Sequence, residues 1–385
     1  MSRNAQKTSA DLELRNSRTV PGFLISIVQP CLLSLLLLTA CSALSEPPRP
    51  HGNSNSSSSP RTPPSRVVIV HHPAATDAFK TDASRVRTMV DVGLTNLART
   101  TSLAAAWLTF VSPQDIVGIK VLSAPGADAG TRPAVVAAVI EGLLAAHLPT
   151  TNIIVWDRQR SDLRKAGYTE LAARYGVSLE GSANLGFDET VFYTPERPIL
   201  GQLVWGDVEF GRKGEGTGRR SYVTRLLTRQ ITKVINITPM LNHNAAGVNG
   251  HLYSLAQGSV DNFIRFENDL FRLSTAVPEI YALPAVGDKV VLNITDALIC
   301  QYHGESQGLL HYAVMLNELR FSKDAVALDA LSLRDMEQVR LTAKATVPRE
   351  TSLTNQVELV NNAALLELGT SEVENIQIQR VPLRD

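Results

Sequence analysis

The sequence predicts an α/β protein with a mainly parallel sheet and helices on both faces. Three observations carry this: short β-branched runs recur along the chain, segments of helical periodicity separate them, and the two kinds alternate. At 385 residues and 44% hydrophobic content, the chain is able to bury one large core or two modest ones.

Order begins at residues 67–70, a β-branched run, and a helix follows over 84–97 through Val86, Met89, Val90, Leu94 and Leu97. Residues 115–121 form the next strand. Thr131-Arg132-Pro133 opens an apolar helix to Leu144, with Pro133 suited to its first turn. A strand over 152–156 and a helix over 162–175 come next. An insertion over 181–218 interrupts the alternation, with strand character at Phe192 and over 202–210 and a glycine-rich basic loop over 211–220. A helix over 221–232 behind that loop would make an anion site in principle. The loop has neither the Walker A nor the dinucleotide spacing, so a solvated surface loop is the favoured reading. Beyond it, strand 234–237 leads into a polar loop rich in Asn, His and Gly to residue 262. Helical pattern around 278–283, a strand over 289–294, a turn at 295–297 and a short strand over 319–321 follow. Helices over 324–339 and 357–368 and a strand near Ile376 and Ile378 close the chain.

The amino-terminal part has a different character. Arg3, Lys7, Arg15 and Arg18 precede an apolar run over 23–38, the layout of a secretory signal. Leu38-Thr39-Ala40-Cys41 ends that run and resembles a bacterial lipobox, so residues 1–40 are expected to be a lipoprotein-type signal and Cys41 the lipidated residue. Residues 41–65, rich in Pro, Ser and Asn, lack the apolar content to order themselves and act as a tether. The folded part then runs over 66–385 as one domain, with a division into two lobes, if any, near 181–220. Export to the bacterial cell envelope and attachment to its membrane through Cys41 follow as expectations.

Several function classes are disfavoured at this level. Lys plus Arg and Asp plus Glu balance at 37 each, leaving no whole-protein field to attract nucleic acid. Of three cysteines only Cys300 lies in the folded part, so the chain's own cysteines cannot hold an iron–sulfur cluster. His243, His251, His303 and His311, with Asp261, Asp296 and Glu305, are nitrogen and oxygen donors suited to a metal. None has the compact spacing of a metal motif, so no metal is assigned and the identity of any cofactor stays open. Ser254 and Ser259 lie outside any nucleophile elbow, and Cys300 reads as a buried thiol.

In open α/β sheets ligands sit beyond the carboxyl ends of the strands. That rule picks out Lys120, Asp157, His243, Asn244 and Asp296. Residues 115–121, Thr131-Arg132-Pro133, Lys233-Val-Ile-Asn-Ile, Asn242-His243-Asn-Ala-Ala-Gly-Val, Gly258-Ser-Val-Asp-Asn262, Ile294-Thr-Asp296-Ala and 324–329 together resemble the domain-of-unknown-function family 362 over roughly residues 66–382. Some members carry ferredoxin-type cysteines, which this chain lacks. Many have lysines near the central histidine, where this chain has Asn242 and Tyr253. Thr131-Arg132-Pro133 is also similar to a turn in the amino-terminal part of nickel-pincer lactate racemases. The expected function is binding of a small anionic molecule, with Lys120, Arg132, Asn244, Asp261 and Asp296 as ligand-binding residues and His243 as the acid–base group of any reaction. The alternatives are a metal- or cofactor-dependent enzyme acting on a small organic acid, and a non-catalytic envelope scaffold or partner-binding protein.

Overall fold

The computed structural model describes residues 65–267, 269–304, 307–343 and 357–384. The expected signal, Cys41, most of the tether and Glu305 lie outside the described residues. The strands are β1 (Ser65–His71), β2 (Thr76–Asp77), β3 (Lys80–Thr81), β4 (Val117–Val121), β5 (Ile153–Asp157), β6 (Ser178–Gly181) and β7 (Phe187–Tyr193). After them come β8 (Ser221–Thr224), β9 (Lys233–His243), β10 (Gly247–Val248), β11 (Val290–Gln301), β12 (Ala313–Ser322) and β13 (Ile376–Pro382).

Nine strands make one sheet in the order β13-β1-β12-β11-β9-β4-β5-β6, with β10 beside β9. Only β12 and β10 run antiparallel to their neighbours, so the sheet is mainly parallel. The short helices α3 (Gly126–Ala129), α7 (Ser182–Leu185) and α9 (Ile264–Glu267) lie in the connections. Helices cover both faces. On one, α1 (Ala83–Ala98), α2 (Leu103–Leu108) and α4 (Pro133–Ala145) lay Met89, Trp107 and Val139 over Val117, Ile119, Ile235 and Ile294. On the other, α8 (His251–Ser259), α10 (Leu270–Tyr281) and α12 (Glu358–Leu365) bring Leu255, Val277 and Leu359 to Val234 and Met240. There too, α11 (Ala325–Thr342) packs Leu328 and Leu331 on Val67 and Ile69.

Local chemistry explains where these helices begin and why one tolerates proline. Asp82, Asp269 and Asp324 cap α1, α10 and α11 by accepting first-turn amides. Pro278 lies inside α10 and has no N–H for the carbonyl of Ser274 four residues earlier. Asn362 of α12 donates its Nδ2–H to that carbonyl at 3.0 Å, so the missing bond is replaced by one that pins the two helices together.

Several local expectations are corrected. Residues 202–204 are irregular and 205–210 form turns, not a strand, because Asp207 accepts the amide of Val204 and closes a tight reversal. Residues 221–232 are the strand β8 and a π-helical turn (Leu226–Gln230), not a helix. β8 pairs antiparallel with β7, so the insertion does contain a β-hairpin-like pair, and the glycine-rich loop leads into a strand, not into the start of a helix. Residues 162–175 are split at Gly167, with φ +85°, into α5 (Arg160–Lys165) and α6 (Tyr168–Tyr175). The turn expected at 295–297 lies inside β11, which bulges between Asp296 and Cys300 against β9. The largest change concerns residues 238–262. They are the end of β9, a tight hairpin into β10, and the buried helix α8, so most of their polar side chains, Asn244 at the hairpin tip excepted, are packed into the fold.

Candidate functional site

The onward connection from β4 runs through α4 to β5, while that from the adjacent β9 runs through α8 and α10 to β11 on the opposite side. β4 and β9 therefore bracket a topological switch point, where α/β sheets open a crevice beyond the strand ends. Polar side chains concentrate beside it. Lys120 on β4 lies in register with Asn236 on β9, and Asn236 with Asn293 on β11. Two residues further on, Thr238 lies opposite Thr295. These two rows cross the centre of a sheet that burial on both faces would otherwise make apolar, and all five side chains are buried.

Helix α8 lies over the rows and uses their hydrogen-bonding groups. Asn236 Nδ2 donates to the His251 carbonyl at 3.0 Å, and His251 Nε2 stands 2.9 Å from Thr295 Oγ1 and 3.3 Å from Thr238 Oγ1. Complete burial pushes the imidazole down to about 3, so His251 is neutral across the physiological range. Its Nδ1, together with Asn236 Oδ1 and Asn293 Oδ1, is buried without a hydrogen-bond partner. The start of α8 is held by Asp329 of α11, whose carboxylate accepts the amides of His251 at 2.7 Å and Leu252 at 3.0 Å. A Cβ at residue 250 would fall 2.2 Å from Asp329 Oδ1, so Gly250 is what lets the carboxylate reach the helix. Burial raises that carboxyl to about 7 despite the two amides.

Lys120 is fully buried and its ammonium uses all three donors: Val121 O at 2.7 Å, Asp157 Oδ1 at 2.9 Å and Ser254 Oγ at 3.0 Å. Burial lowers its proton affinity, and Asp157 opposes that effect. Asp157 completes its shell with the amide of Ser123 at 2.8 Å and the Ser123 hydroxyl at 2.6 Å. Gly258 of α8 permits the arrangement, since a Cβ there would meet Lys120 Cε at 2.3 Å.

A second buried ion pair lies beside the other face. Arg132 is the N-cap residue of α4, and Thr131 before it donates its hydroxyl to the Ile237 carbonyl of β9 at 2.8 Å. The Arg132 amide donates to Asp296 Oδ2 at 3.0 Å, and Arg132 Nη1 lies 3.0 Å from Asp296 Oδ1. That approach is a buried ion pair outside hydrogen-bond geometry. Tyr168 donates to the Thr131 carbonyl at 2.7 Å, and burial, with Asp296 and Asp157 nearby, holds its phenol well above the usual range.

The structure thus gathers Lys120, Arg132 and Asp296 about the switch point and adds Asp157, Ser123, His251 and Ser254 to them. It sets the other candidates apart. His243 lies six residues past Ile237, the partner of Val121, or roughly 20 Å along an extended strand. Its Nδ1 accepts the amides of Ala245 at 3.2 Å and Ala246 at 2.9 Å, closing the β9–β10 turn, and its ring packs on Tyr253. Asn244 is exposed at the tip of that turn. Asp261 secures the insertion: it accepts the amides of Tyr222 at 2.5 Å and Val208 at 2.8 Å, and burial raises it to about 6. Asn262 and Arg265 hold the carbonyl of Gly218 alongside it, at 2.8 and 2.9 Å. The tip of the glycine-rich loop is solvent-exposed. His303 and His311 pack against Tyr312, and no three His, Cys, Asp or Glu side chains among the described residues are grouped to hold a metal. Burial pushes the Cys300 thiol up to about 12. Pockets of about 810 Å³ along β6 and about 790 Å³ near the start of β1 lie away from the switch point.

The polar rows have a sequence signal beyond strand-end position. Asn236-Ile237-Thr238 and Asn293-Ile294-Thr295 are the same tripeptide in two strands, and adjacency puts them side by side. Ser123 and Asp329 carry no such signal, because each matters only through a partner distant in sequence.

No protein-family model and no curated protein matches the chain. A protein from Thermotoga maritima with a crystal structure is similar at 11% identity and a TM-score of 0.36, over 70% of this chain and 60% of that one. The chain therefore spans less than two thirds of that protein's length, and a likeness of this size carries no argument about function.

Proposed function

We propose that this is an exported, lipid-anchored α/β protein, of the family-362 type its motifs resemble, that binds a small anionic molecule at the carboxyl ends of β4, β9 and β11. The observation that carries the reading is the buried Arg132 guanidinium beside the switch point, whose Nη1 is ion-paired with Asp296 at 3.0 Å but not hydrogen-bonded to it. A carboxylate or phosphate oxygen of the ligand would meet the guanidinium in the planar geometry it favours, in competition with Asp296. Lys120 on β4 is itself engaged by Val121, Asp157 and Ser254, so it supports the site's framework and not the ligand directly. His243, the acid–base group expected from the sequence, closes the β9–β10 turn at a distance from this site, so the reading is one of binding and assigns it no step.

The test is a thermal-shift screen with inorganic phosphate, sugar phosphates, hydroxy acids and nucleotides. A ligand at a hundred times its Kd is expected to stabilise the wild-type protein by about 2.7 kcal/mol, and Arg132→Gln to abolish that gain. Absence of any shift across the panel would sink the reading. Anchoring is tested separately. Cys41→Ala is expected to lose both processing and membrane fractionation, and an unchanged mass and distribution would remove the lipoprotein assignment.

A second reading, a non-catalytic envelope scaffold, draws on a specific observation: Lys120 and Arg132 already face Asp157 and Asp296 within the chain. It predicts no ligand-induced shift and an unaltered phenotype in a His243→Ala strain.

A further inference from the structure

The insertion presents a surface that the proposed ligand site does not use. Trp205 is 78% exposed, Leu200 61% and Phe210 51%, with Ile264 also exposed beside them. The segment carrying Leu200 lies against Arg265, next to Ile264, and Arg265 donates to the Ile199 carbonyl at 2.9 Å. The turn carrying Trp205 is held in place as well. Asp207 accepts the Val204 amide at 2.8 Å and the Asn262 amide at 3.0 Å, and its own amide closes back on the Val204 carbonyl. Phe210 follows in the next reversal, its amide bonded to the Asp207 carbonyl. Two aromatic rings are thus displayed on paired turns anchored at their base, and an apolar display of this kind on a surface signals contact with an apolar phase or partner.

The charge beside the patch indicates which. The adjoining glycine-rich loop carries Arg212, Lys213, Arg219 and Arg220 against the single acid Glu215. Arg212 also stands 3.6 Å from Glu189 in a pair that is half-exposed on both sides and therefore weak. Arg220 lies over the Phe192 ring. Tryptophan and phenylalanine at a boundary, with cations around them, suit the headgroup region of an anionic bilayer, where the rings enter the acyl boundary and the cations meet phosphate.

We propose that the face formed by Leu200, Trp205, Phe210 and the 211–220 loop is a membrane-contact surface selective for anionic lipid, independent of any anchor at Cys41. This goes beyond the small-molecule reading and does not rest on it.

The chain supplies its own reporter. It has three tryptophans, and Trp107 and Trp156 are fully buried, so a solvent-sensitive change in tryptophan emission reports on Trp205. Full-length protein is mixed with vesicles of phosphatidylglycerol and phosphatidylcholine, and with phosphatidylcholine alone. With the anionic vesicles the emission is expected to move to shorter wavelength and to be quenched by lipids brominated near the headgroup; Trp205→Ser abolishes both changes. Replacing Arg212 and Lys213 together by Gln is expected to weaken partitioning by about 25-fold, roughly fivefold for each charge lost. Circular dichroism of each variant establishes that it is folded. Sedimentation with vesicles while Trp205 emission stays unshifted would mean attachment through the amino-terminal segment alone and overturns the proposal. So does an emission shift that depends on protein concentration without lipid, which would assign the patch to a second copy of the chain. Equal binding to both vesicle types overturns the charge selectivity.

Discussion

Lys120→Ala is expected to lower the free energy of unfolding by about 3–5 kcal/mol, the range for removing one partner of a buried ion pair. The substitution leaves the Asp157 carboxylate in place, shielded from water, with the Ser123 amide and hydroxyl on one oxygen and nothing in place of the ammonium on the other. It also empties the space under Gly258 into which the lysine stem packs. The double variant Lys120→Met/Asp157→Asn carries no charge at the site, fills most of the volume and keeps an acceptor for the Ser123 amide, so most of the loss is recovered. Denaturant midpoints at constant slope measure both. A loss below about 1 kcal/mol, typical of solvated surface pairs, would show that water reaches this pair and that it is not the buried element described.

The second large effect is a dependence on pH set by His251. Its folded value of about 3 lies below the 6.5 of an unperturbed imidazole. Between those values the unfolded chain binds a proton that the folded chain refuses, so acidification favours unfolding. The stability that His251 allows is intact above pH 6.5 and is lost as pH falls, by about 1.4 kcal/mol per unit. Asp329, at about 7, and Asp261, at about 6, act in the opposite sense. Folded protein keeps their protons where unfolded protein has released them, so their contribution is largest near pH 4 and declines as pH rises through their folded values. The wild-type profile mixes the three. The difference between wild type and His251→Asn isolates the imidazole: it is expected to be flat above pH 6.5 and to slope downward toward acid from there to about pH 4. A difference that stays level across that interval would mean that His251 is hydrated or charged in the folded protein.

These two predictions mark where local pattern stopped informing the site. Lys120 and Asp157 were both identified as residues at strand ends, because the strand runs and the direction of a parallel sheet suffice to locate such positions. That they bind one another depends on β4 and β5 being neighbours in register. His243 drew attention because it sits in a polar stretch after a β-branched run. The strand runs on through that stretch to residue 243, so the histidine lies well beyond the switch point and closes a turn. His251 looked like one loop histidine among several, and it is the one buried over the polar rows. Gly258-Ser-Val-Asp-Asn262 identified a resemblance, while in the fold Asp261 and Asn262 fasten the insertion that displays Trp205.

Local sequence sufficed for the α/β class and, to within a few residues, for the strands at 67–70, 115–121 and 152–156 and the helices at 84–97 and 133–144. Those features follow from near-neighbour sterics, side-chain periodicity and the entropy of ordering a chain, all of which act within a few residues. Tertiary structure alone decided that two Asn-Ile-Thr segments lie side by side, that α8 covers them, and that Lys120 and Arg132 meet carboxylates 37 and 164 residues away. The physical reason is that a buried polar group must be satisfied wherever a partner can be brought to it. That partner is selected by the order of strands in the sheet, which no local stretch of sequence specifies.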